Sequence, residues 1–147
     1  MNEHGFIRSI HNKLPSEVYR WKIHDGYTSG VPDVMYAGPA GVLFVEYKYL
    51  KNLPKKDSTL IRTCLTPIQA AWLERMKHCA PVALMIGNNT KVLILTNNFY
   101  TQMTKMHYNE ASTTKDGAAK WITSITQDKN CHEQHRQLEQ DMGSKKR

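Results

Sequence analysis

The sequence predicts an α/β fold, with a central mixed β-sheet flanked by helices. Two observations indicate this fold class. Runs rich in β-branched and aromatic residues fall into two groups, and turn-forming residues join the neighbouring runs within each group. Stretches with helical spacing of apolar residues precede, separate and follow these groups. The predicted order is therefore one helix, three strands, one helix, two strands and a mostly helical end.

The chain has 147 residues and a formal net charge of +7, with a pI near 9.4. This length predicts a single domain with a sizeable core. We expect the domain at 1–126, made of a core at 1–96 and a helical extension at 97–126, followed by a polar, flexible tail at 127–147. The positive charge favours an anionic partner, with nucleic acid first and an acidic membrane surface second.

Three features bear on the compartment. The sequence has no run of about eighteen apolar residues, so we predict no transmembrane helix and no membrane partner. Residues 1–5 lack the basic-then-apolar plan of a signal peptide. The cysteines are odd in number and widely spaced, which suits a reducing environment, and they are Cys64, Cys79 and Cys131. Together these features predict a cytoplasmic protein.

The first predicted helix covers about residues 3–13 and ends at Pro15. Glu3 lies at its start, where a carboxylate is favourable against the helix dipole. One apolar stripe follows the helical spacing and consists of Phe6, Ile7, Ile10 and Leu14.

Residues 17–23 alternate in the manner of a β-strand. The apolar set on one face is expected to pack on a helix, and it consists of Tyr19, Trp21 and Ile23. Arg20 and Lys22 lie on the opposite face together with Val18, and such basic side chains are usually solvated.

A hairpin is predicted over residues 34–49, because apolar strand-like runs flank a turn-forming cluster at 37–41. The cluster predicts a loop of about five residues. Side chains alternate faces along a strand, so Glu46 and Lys48 share one face. On the folded hairpin, Asp33 at the outer end of the first strand comes back beside them.

Two carboxylates and an ammonium group within reach of one another suit metal-assisted phosphate chemistry. Magnesium takes oxygen ligands, commonly one or two carboxylates plus water and phosphate oxygens. The ion lowers the pKa of a bound water and neutralises charge on the scissile phosphate, and a nearby lysine positions that water or stabilises developing charge. Asp33 and Glu46 are the predicted metal ligands, and Lys48 is the residue predicted to orient or activate the attacking water.

At this point the chain resembles a known family. Pro32-Asp33, followed after a gap of twelve residues by Glu46-Tyr47-Lys48, is similar to the motif of the PD-(D/E)XK nuclease superfamily. Gly30-Val31-Pro32-Asp33 with Glu46-x-Lys48 is especially similar to the VRR-NUC branch, whose small stand-alone members occur in phages and resemble junction resolvases.

The resemblance covers about residues 1–96 and implies a restriction-endonuclease-like core. It implies Mg²⁺ as cofactor, with Mn²⁺ able to substitute, and DNA as the substrate. It favours branched or otherwise structured DNA and a homodimer that presents two active sites. A phage gene expressed in a bacterial host is one origin consistent with this branch.

In this family the first helix supplies a carboxylate that joins the metal site. Glu3 is the better match for that residue, because a full helix follows it before the first strand. Glu17 is the alternative, although it lies in the stretch that alternates as a strand.

The clearest helix in the chain opens at Thr66, which caps it, with Pro67 at the first helical position. Gln69 completes a T-x-x-Q capping box. The resemblance gives Gln69 a second role, since in the family a glutamine on the helix after the E-x-K strand borders the metal site. The predicted core stripe of this helix, down to about His78, consists of Leu65, Ile68, Trp72, Leu73 and Met76.

The connection at 49–62 is strongly basic and contains a single acid, Asp57. It would serve either as a solubilising loop or as a phosphate contact, and its position after Glu46 and Lys48 favours phosphate contact. The predicted DNA-binding residues of this connection are Lys51, Lys55, Lys56 and Arg62. In a nuclease, Arg20 and Lys22 on the first strand would also flank the DNA.

Apolar runs at 81–86 and 91–95, around a turn at 87–90, predict two strands buried on both faces. Beyond them, 98–108 is predicted as a short helix and 114–126 as a longer one.

The polar tail contains Cys131-His132-x-x-His135, which invites a zinc interpretation. It lacks a second cysteine or histidine pair at finger-like spacing, so we do not assign a zinc site to it. The final residues Lys145-Lys146-Arg147 would add to DNA affinity.

The predicted function is that of a magnesium-dependent DNA endonuclease, structure-specific for branched or Holliday-junction-like DNA. Two alternatives stay open at this point. One is a sequence-specific endonuclease of the homing or restriction type, because the same core serves both. The other lies outside the enzymes, as a basic nucleic-acid-binding module whose acidic residues are inert.

Overall fold

The computed structural model of the protein describes residues 1–100 and 102–127. Its helices are α1 (Glu3–His11), α2 (Pro67–Met76), α3 (Lys105–Ala111) and α4 (Lys115–Thr126). Its strands are β1 (Tyr19–Lys22), β2 (Val34–Gly38), β3 (Gly41–Tyr49), β4 (Leu60–Ile61), β5 (Val82–Gly87), β6 (Val92–Leu95) and β7 (Met103–Thr104).

Five strands form one mixed sheet in the order β1-β2-β3-β5-β6. The pairs β1–β2, β2–β3 and β5–β6 are antiparallel, whereas β3 and β5 run parallel. The parallel pair needs a long crossover connection, and that connection contains β4 and α2. β4 pairs with β7 in a separate two-stranded ribbon. The predicted α/β fold with a mixed central sheet is confirmed.

The β2–β3 hairpin turns more tightly than the predicted loop of five residues. Gly38 pairs with Gly41, so only Pro39 and Ala40 connect the strands. The prediction was wrong because Ala37 and Gly38 continue the ladder instead of leaving it. Gly41 has φ +139°, a conformation that a glycine adopts without steric cost.

Each face of the sheet is covered by different helices. α1 and α4 pack on one face, here called the α1 face, over a core that includes Tyr36, Tyr47 and Met85. α2 and α3 lie on the other, here called the α2 face, over a core that includes Leu84 and Ile86. β5 is buried along its whole length, as predicted for a strand with covered faces. The same prediction is only partly right for β6, where Ile94 and Leu95 are half-buried.

Strand β1 does not pack as predicted. Tyr19 and Trp21 are 60 % and 51 % exposed, so the expected burial of this apolar set on a helix is wrong. Arg20 and Lys22 are the side chains that turn toward α1. Arg20 donates to the backbone carbonyl of His11, at the end of α1 where the helix dipole favours a cation.

Helix α2 begins as predicted, with Thr66 as N-cap and Pro67 at the first position. Its predicted core stripe is right only in part. Leu65 and Leu73 are buried, whereas Ile68 is 56 % exposed.

The C-terminal part of the chain contains the predicted helix after Thr114, which caps α4. The predicted helix at 98–108 is only partly right, because the short strand β7 precedes α3. β7 pairs with β4, a long-range pairing that no local pattern indicates.

None of the helices within residues 1–100 and 102–127 is long and apolar enough to cross a membrane. The predicted tail lies outside the described residues from position 128 onward, and so do Cys131, His132, His135 and the basic residues 145–147.

Candidate active site

The hairpin register brings Asp33 and Glu46 to neighbouring positions. Val34 pairs with Val45, so the preceding residue Asp33 lies across from Glu46. The backbone N–H of Tyr47 donates to Asp33 Oδ2 over 2.8 Å, which fixes the Asp33 side chain against β3. The prediction that Asp33 returns beside Glu46 on the folded hairpin is confirmed.

Glu46 is a buried carboxylate with unequal oxygens. It is only 2 % exposed. Its Oε1 accepts a hydrogen bond from Gln69 Nε2 over 3.0 Å and lies 3.5 Å from Lys48 Nζ. Its Oε2 is buried and has no hydrogen-bond partner among the described residues. An unpaired buried carboxylate oxygen is costly, so this atom is available to a ligand from outside the protein.

Burial first, and the nearby charge of Asp33 second, raise the pKa of Glu46 to about 8. Lys48 opposes both effects. In the free protein Glu46 therefore holds a proton near neutral pH. A cation at this position would favour the ionised form instead, because an opposite charge stabilises a carboxylate.

Lys48 follows Glu46 by two residues and extends from the same α2 face of β3. Its side chain is 18 % exposed, so the ammonium group reaches solvent at the edge of the site. This placement leaves it able to interact with an anion that approaches Glu46.

Gln69 closes the capping box of α2 and contacts Glu46 at the same time. Its backbone N–H donates to Thr66 Oγ1, and its side-chain Oε1 accepts from the Thr66 backbone, which completes the capping box. The remaining amide N–H₂ is the donor to Glu46. The capping prediction is confirmed, and the contact places Gln69 beside Glu46, while its part in any reaction stays a prediction.

The structure separates the two candidates for the third carboxylate. Glu3, in the first turn of α1, is half-buried, and its pKa is raised by burial first and by Asp33 second, with Lys48 opposing. Glu17 is exposed, and its backbone carbonyl accepts from Gln127, whose side chain lies against Gly38 at the turn end of the hairpin. Glu3 is therefore at the Asp33 end of the sheet and Glu17 at the opposite end.

The donor set fits a hard divalent cation with few protein ligands. Across the described ranges 1–100 and 102–127, no group of three or more His, Cys, Asp or Glu side chains is arranged to hold a metal ion. Glu3 as a third metal ligand thus stays a prediction. Asp33 and Glu46 supply two carboxylates, the number that Mg²⁺ commonly takes when water and phosphate complete its shell. The unpartnered Oε2 of Glu46 gives such an ion a free ligand atom.

A buried hydrogen-bond chain behind this site was missed by sequence reasoning. On the α1 face, the hydroxyls of Tyr36 and Tyr47 lie 2.5 Å apart, and His11 Nε2 lies 2.7 Å from the Tyr36 hydroxyl. Burial lowers the pKa of His11 to about 4, so its ring is neutral. The alternation of β2 and β3 places Tyr36 and Tyr47 on this face, but the contact of Tyr36 with His11 depends on how α1 docks.

A glycine fixes the loop that leads to Asp33. Gly30 has φ +83°, and a Cβ there would lie 2.5 Å from Ile68 Cγ2 and 2.7 Å from the Ile68 carbonyl oxygen. The loop backbone is therefore pressed against the first turn of α2. This contact ties the position of Asp33 to the helix that carries Gln69.

The basic connection after β3 is exposed at all its predicted DNA-binding residues, which are Lys51, Lys55, Lys56 and Arg62. Its one acid, Asp57, lies 4.0 Å from Lys105 of α3. Within the described part of the chain, none of those four cations is paired with a carboxylate, so their charge is available to an anion. Their contact with DNA, and that of Arg20 and Lys22, stays a prediction.

Comparison with protein-family models gives no match for this sequence, and comparison with curated proteins gives no significant match. Among solved structures, the chain is similar to that of Hjc, a Holliday junction resolvase from the archaeal hyperthermophile Archaeoglobus fulgidus. The match has a TM-score of 0.52 at 10 % sequence identity and covers 82 % of this chain and 97 % of that chain. At this identity the likeness shows a shared fold.

Proposed function

We propose that this protein is a divalent-metal-dependent DNA endonuclease that hydrolyses phosphodiester bonds at the site formed by Asp33, Glu46 and Lys48. The observation that carries the proposal is the buried Glu46 Oε2, which has no partner among the described residues. Asp33 lies across the hairpin from it. A fold without a ligand for this oxygen would retain an uncompensated polar atom.

Asp33 and Glu46 would hold the cation, Mg²⁺ or Mn²⁺, and Glu3 is a further candidate. When bound, the ion supplies charge neutralisation at the scissile phosphate and lowers the pKa of the attacking water. Hydrolysis joins the water oxygen to phosphorus and breaks one ester P–O bond.

The chain's own residues have distinct parts in this proposal. The Tyr47 N–H holds Asp33, and Gln69 holds Glu46, so both carboxylates are oriented before the substrate arrives. Lys48, partly exposed beside Glu46, would orient the attacking water or stabilise charge that develops on the phosphate.

The proposed substrate class is branched DNA. A solved structure with the same fold is that of a Holliday junction resolvase, and the motif Gly30-Val31-Pro32-Asp33 with Glu46-x-Lys48 resembles the VRR-NUC branch. The exposed cations of the connection after β3, which have no carboxylate partner among the described residues, would contact phosphates beside the site. A homodimer would present two such sites to a junction, since a two-fold assembly matches two symmetric strands.

The test is a cleavage assay with purified protein, Mg²⁺ or Mn²⁺, and a matched panel of DNAs: a four-way junction, a flap, a linear duplex and a single strand. Asp33→Ala and Lys48→Ala proteins are the controls. We expect junction cleavage that both substitutions abolish while DNA binding persists. Cleavage at one sequence in long duplex DNA would indicate a sequence-specific endonuclease and not a branch-specific one. DNA binding without cleavage in either metal would refute the proposed endonuclease activity.

A further inference from the structure

The open part of the α2 face beside the candidate active site carries exposed aromatic side chains. Trp21 pairs with Met35 across β1 and β2, and Met35 pairs with Phe44 across β2 and β3, so these three residues form one row on that face. Tyr19 lies two residues before Trp21 and therefore extends from the same face. We call Tyr19, Trp21 and Met35 the aromatic shelf.

The aromatic shelf is adjacent to the row that contains the carboxylates. The Ile23 N–H donates to the Asp33 carbonyl, so Ile23, Asp33 and Glu46 form the next row along the strands. Two residues along a strand and one strand across correspond to roughly 8 Å between the backbones of Trp21 and Asp33. A ring at Trp21 is thus about one nucleotide away from the carboxylates.

Helix α2 borders the aromatic shelf but does not cover it. Trp72 of α2 packs edge-on against Phe44, with ring centroids 5.4 Å apart and an interplanar angle of 69°. Beyond that contact Trp21 stays 51 % exposed and Tyr19 60 % exposed. The shelf is therefore an apolar surface that begins at the active site and is open on its outer side.

We propose that the aromatic shelf stacks an unpaired base of the DNA substrate, and that the enzyme acts on sites where a base is already free of its partner. The proposal rests on the proposed function, because the carboxylates fix where the phosphate lies. With a phosphate there, the group within reach of Trp21 is a nucleobase.

An intact duplex cannot offer that contact, since its bases are stacked and paired inside the helix. An unpaired base at a branch or bulge exposes its face, and stacking on an aromatic side chain tolerates any base. The chain's net charge of +7 supports a polyanion over an uncharged partner at this surface.

The experiment measures binding without cleavage, in EDTA, to two fluorescent duplexes that differ only in a short bulge. We expect the wild-type protein to favour the bulged duplex and Trp21→Ala to weaken that complex about tenfold, with binding of the plain duplex unchanged. Trp21→Phe should keep most of the preference. Tyr100→Ala is the matched control, because Tyr100 is 57 % exposed and follows β6 at the opposite edge of the sheet.

Equal affinity losses of Trp21→Ala for both duplexes, or none, would overturn the proposal. The proposal would also be overturned if Trp21→Ala lowered the mass of the protein in sedimentation but kept the preference for the bulged duplex. The aromatic shelf would then join two copies of the chain. A Trp21-dependent preference in a protein that never cleaves would support the shelf and refute the nuclease. Magnesium-dependent cleavage without that preference would do the reverse.

Discussion

The side-chain amide of Gln69 donates to Glu46 Oε1 over 3.0 Å while its carbonyl oxygen accepts from the Thr66 backbone over 3.1 Å. One side chain therefore closes the N-terminus of α2 and orients a buried carboxylate on β3. The helix start and the candidate active site are mechanically linked through it.

Gln69→Ala should lower both the stability of the protein and the rate of cleavage. The loss of the capping contact and of the Glu46 hydrogen bond should lower the free energy of unfolding by about 1–3 kcal/mol. Cleavage should fall about tenfold or more, because a freed Glu46 carboxylate no longer holds one orientation. Chemical denaturation and the junction-cleavage assay measure the two effects.

Thr66→Ala is the matched variant, because it removes the acceptor for the Gln69 N–H and leaves the bond to Glu46. It should cost about 1 kcal/mol of stability and little cleavage. Equal losses of cleavage in the two variants would show that Gln69 acts only as a cap.

Glu46 should make the metal-free protein less stable as pH rises. Its folded pKa of about 8 exceeds its ordinary value of 4.5, so the folded state binds the proton more tightly than the unfolded state. The stabilisation is complete below the ordinary pKa and is lost as pH rises through the folded pKa, by on the order of 4 kcal/mol. Thermal melts in EDTA between these pH values measure it.

Glu46→Gln should remove most of this loss, because an amide does not ionise. Asp33→Asn should move the loss to lower pH, since the Asp33 charge is one cause of the raised pKa. If the melting temperatures of wild type and Glu46→Gln changed with pH in the same way over the whole range, Glu46 would not be the group responsible.

Under the proposed function, magnesium should raise the melting temperature near neutral pH, because the ion would bind the folded protein and not the unfolded chain. A concentration of a hundred times Kd corresponds to about 2.7 kcal/mol. Binding should also release a proton from Glu46, which a dye in weakly buffered solution detects.

The increase should disappear in Glu46→Gln and in Asp33→Asn, which each lose a ligand charge. It should persist in Lys48→Ala, because removal of a competing cation does not weaken the carboxylates as ligands. A magnesium effect that survives in all three variants would place the ion elsewhere.

Gly30→Ala should damage the loop that carries Asp33. A Cβ at φ +83° is strained and would meet the Ile68 backbone, so the loop must shift, at a cost of about 1–3 kcal/mol. Cleavage should fall with it. Gly26→Ala in the same loop should be neutral in both assays, because its Cβ meets no atom within 4 Å. Similar cleavage by Gly30→Ala and Gly26→Ala would show that activity does not depend on the position of this loop.

Tyr36→Phe should destabilise the protein more than Tyr47→Phe. Tyr36 connects His11 and Tyr47, so its loss leaves the buried Tyr47 hydroxyl without its partner, at about 1–3 kcal/mol. Tyr47→Phe leaves Tyr36 with His11 and should cost about 1 kcal/mol. The double variant should be close to Tyr36→Phe alone, since the two hydroxyls share one bond. Additive losses by urea denaturation would indicate independent contacts.

Much of the site could be predicted because it is local. The alternation of β3 assigns Glu46 and Lys48 to one face, and a hairpin of any short turn returns Asp33 to them. The capping box of α2 is equally local, because it depends only on the spacing of Thr66 and Gln69. These features depend on spacing within one or two elements.

The rest depends on how elements dock. The position of α1 decides which face of β1 is covered. Arg20 contacts the carbonyl of His11 at the end of α1, so Trp21, which extends from the opposite face of β1, stays exposed. The His11–Tyr36 hydrogen bond and the β4–β7 ribbon likewise join residues that no single stretch brings together. Hydrophobicity alone predicted burial for Tyr19, Trp21 and Ile68, and each is exposed.

The different lengths of chain that separate Glu46 from its two neighbours imply an order of assembly during folding. Asp33 meets Glu46 through a hairpin with a two-residue turn, which closes quickly. Gln69 reaches Glu46 only after the longer segment between them has closed, a slower event. A nascent chain that has released only the hairpin thus carries both carboxylates in water. Under the proposed function, the capacity to cut would therefore follow the docking of α2 on β3 and not the closure of the hairpin.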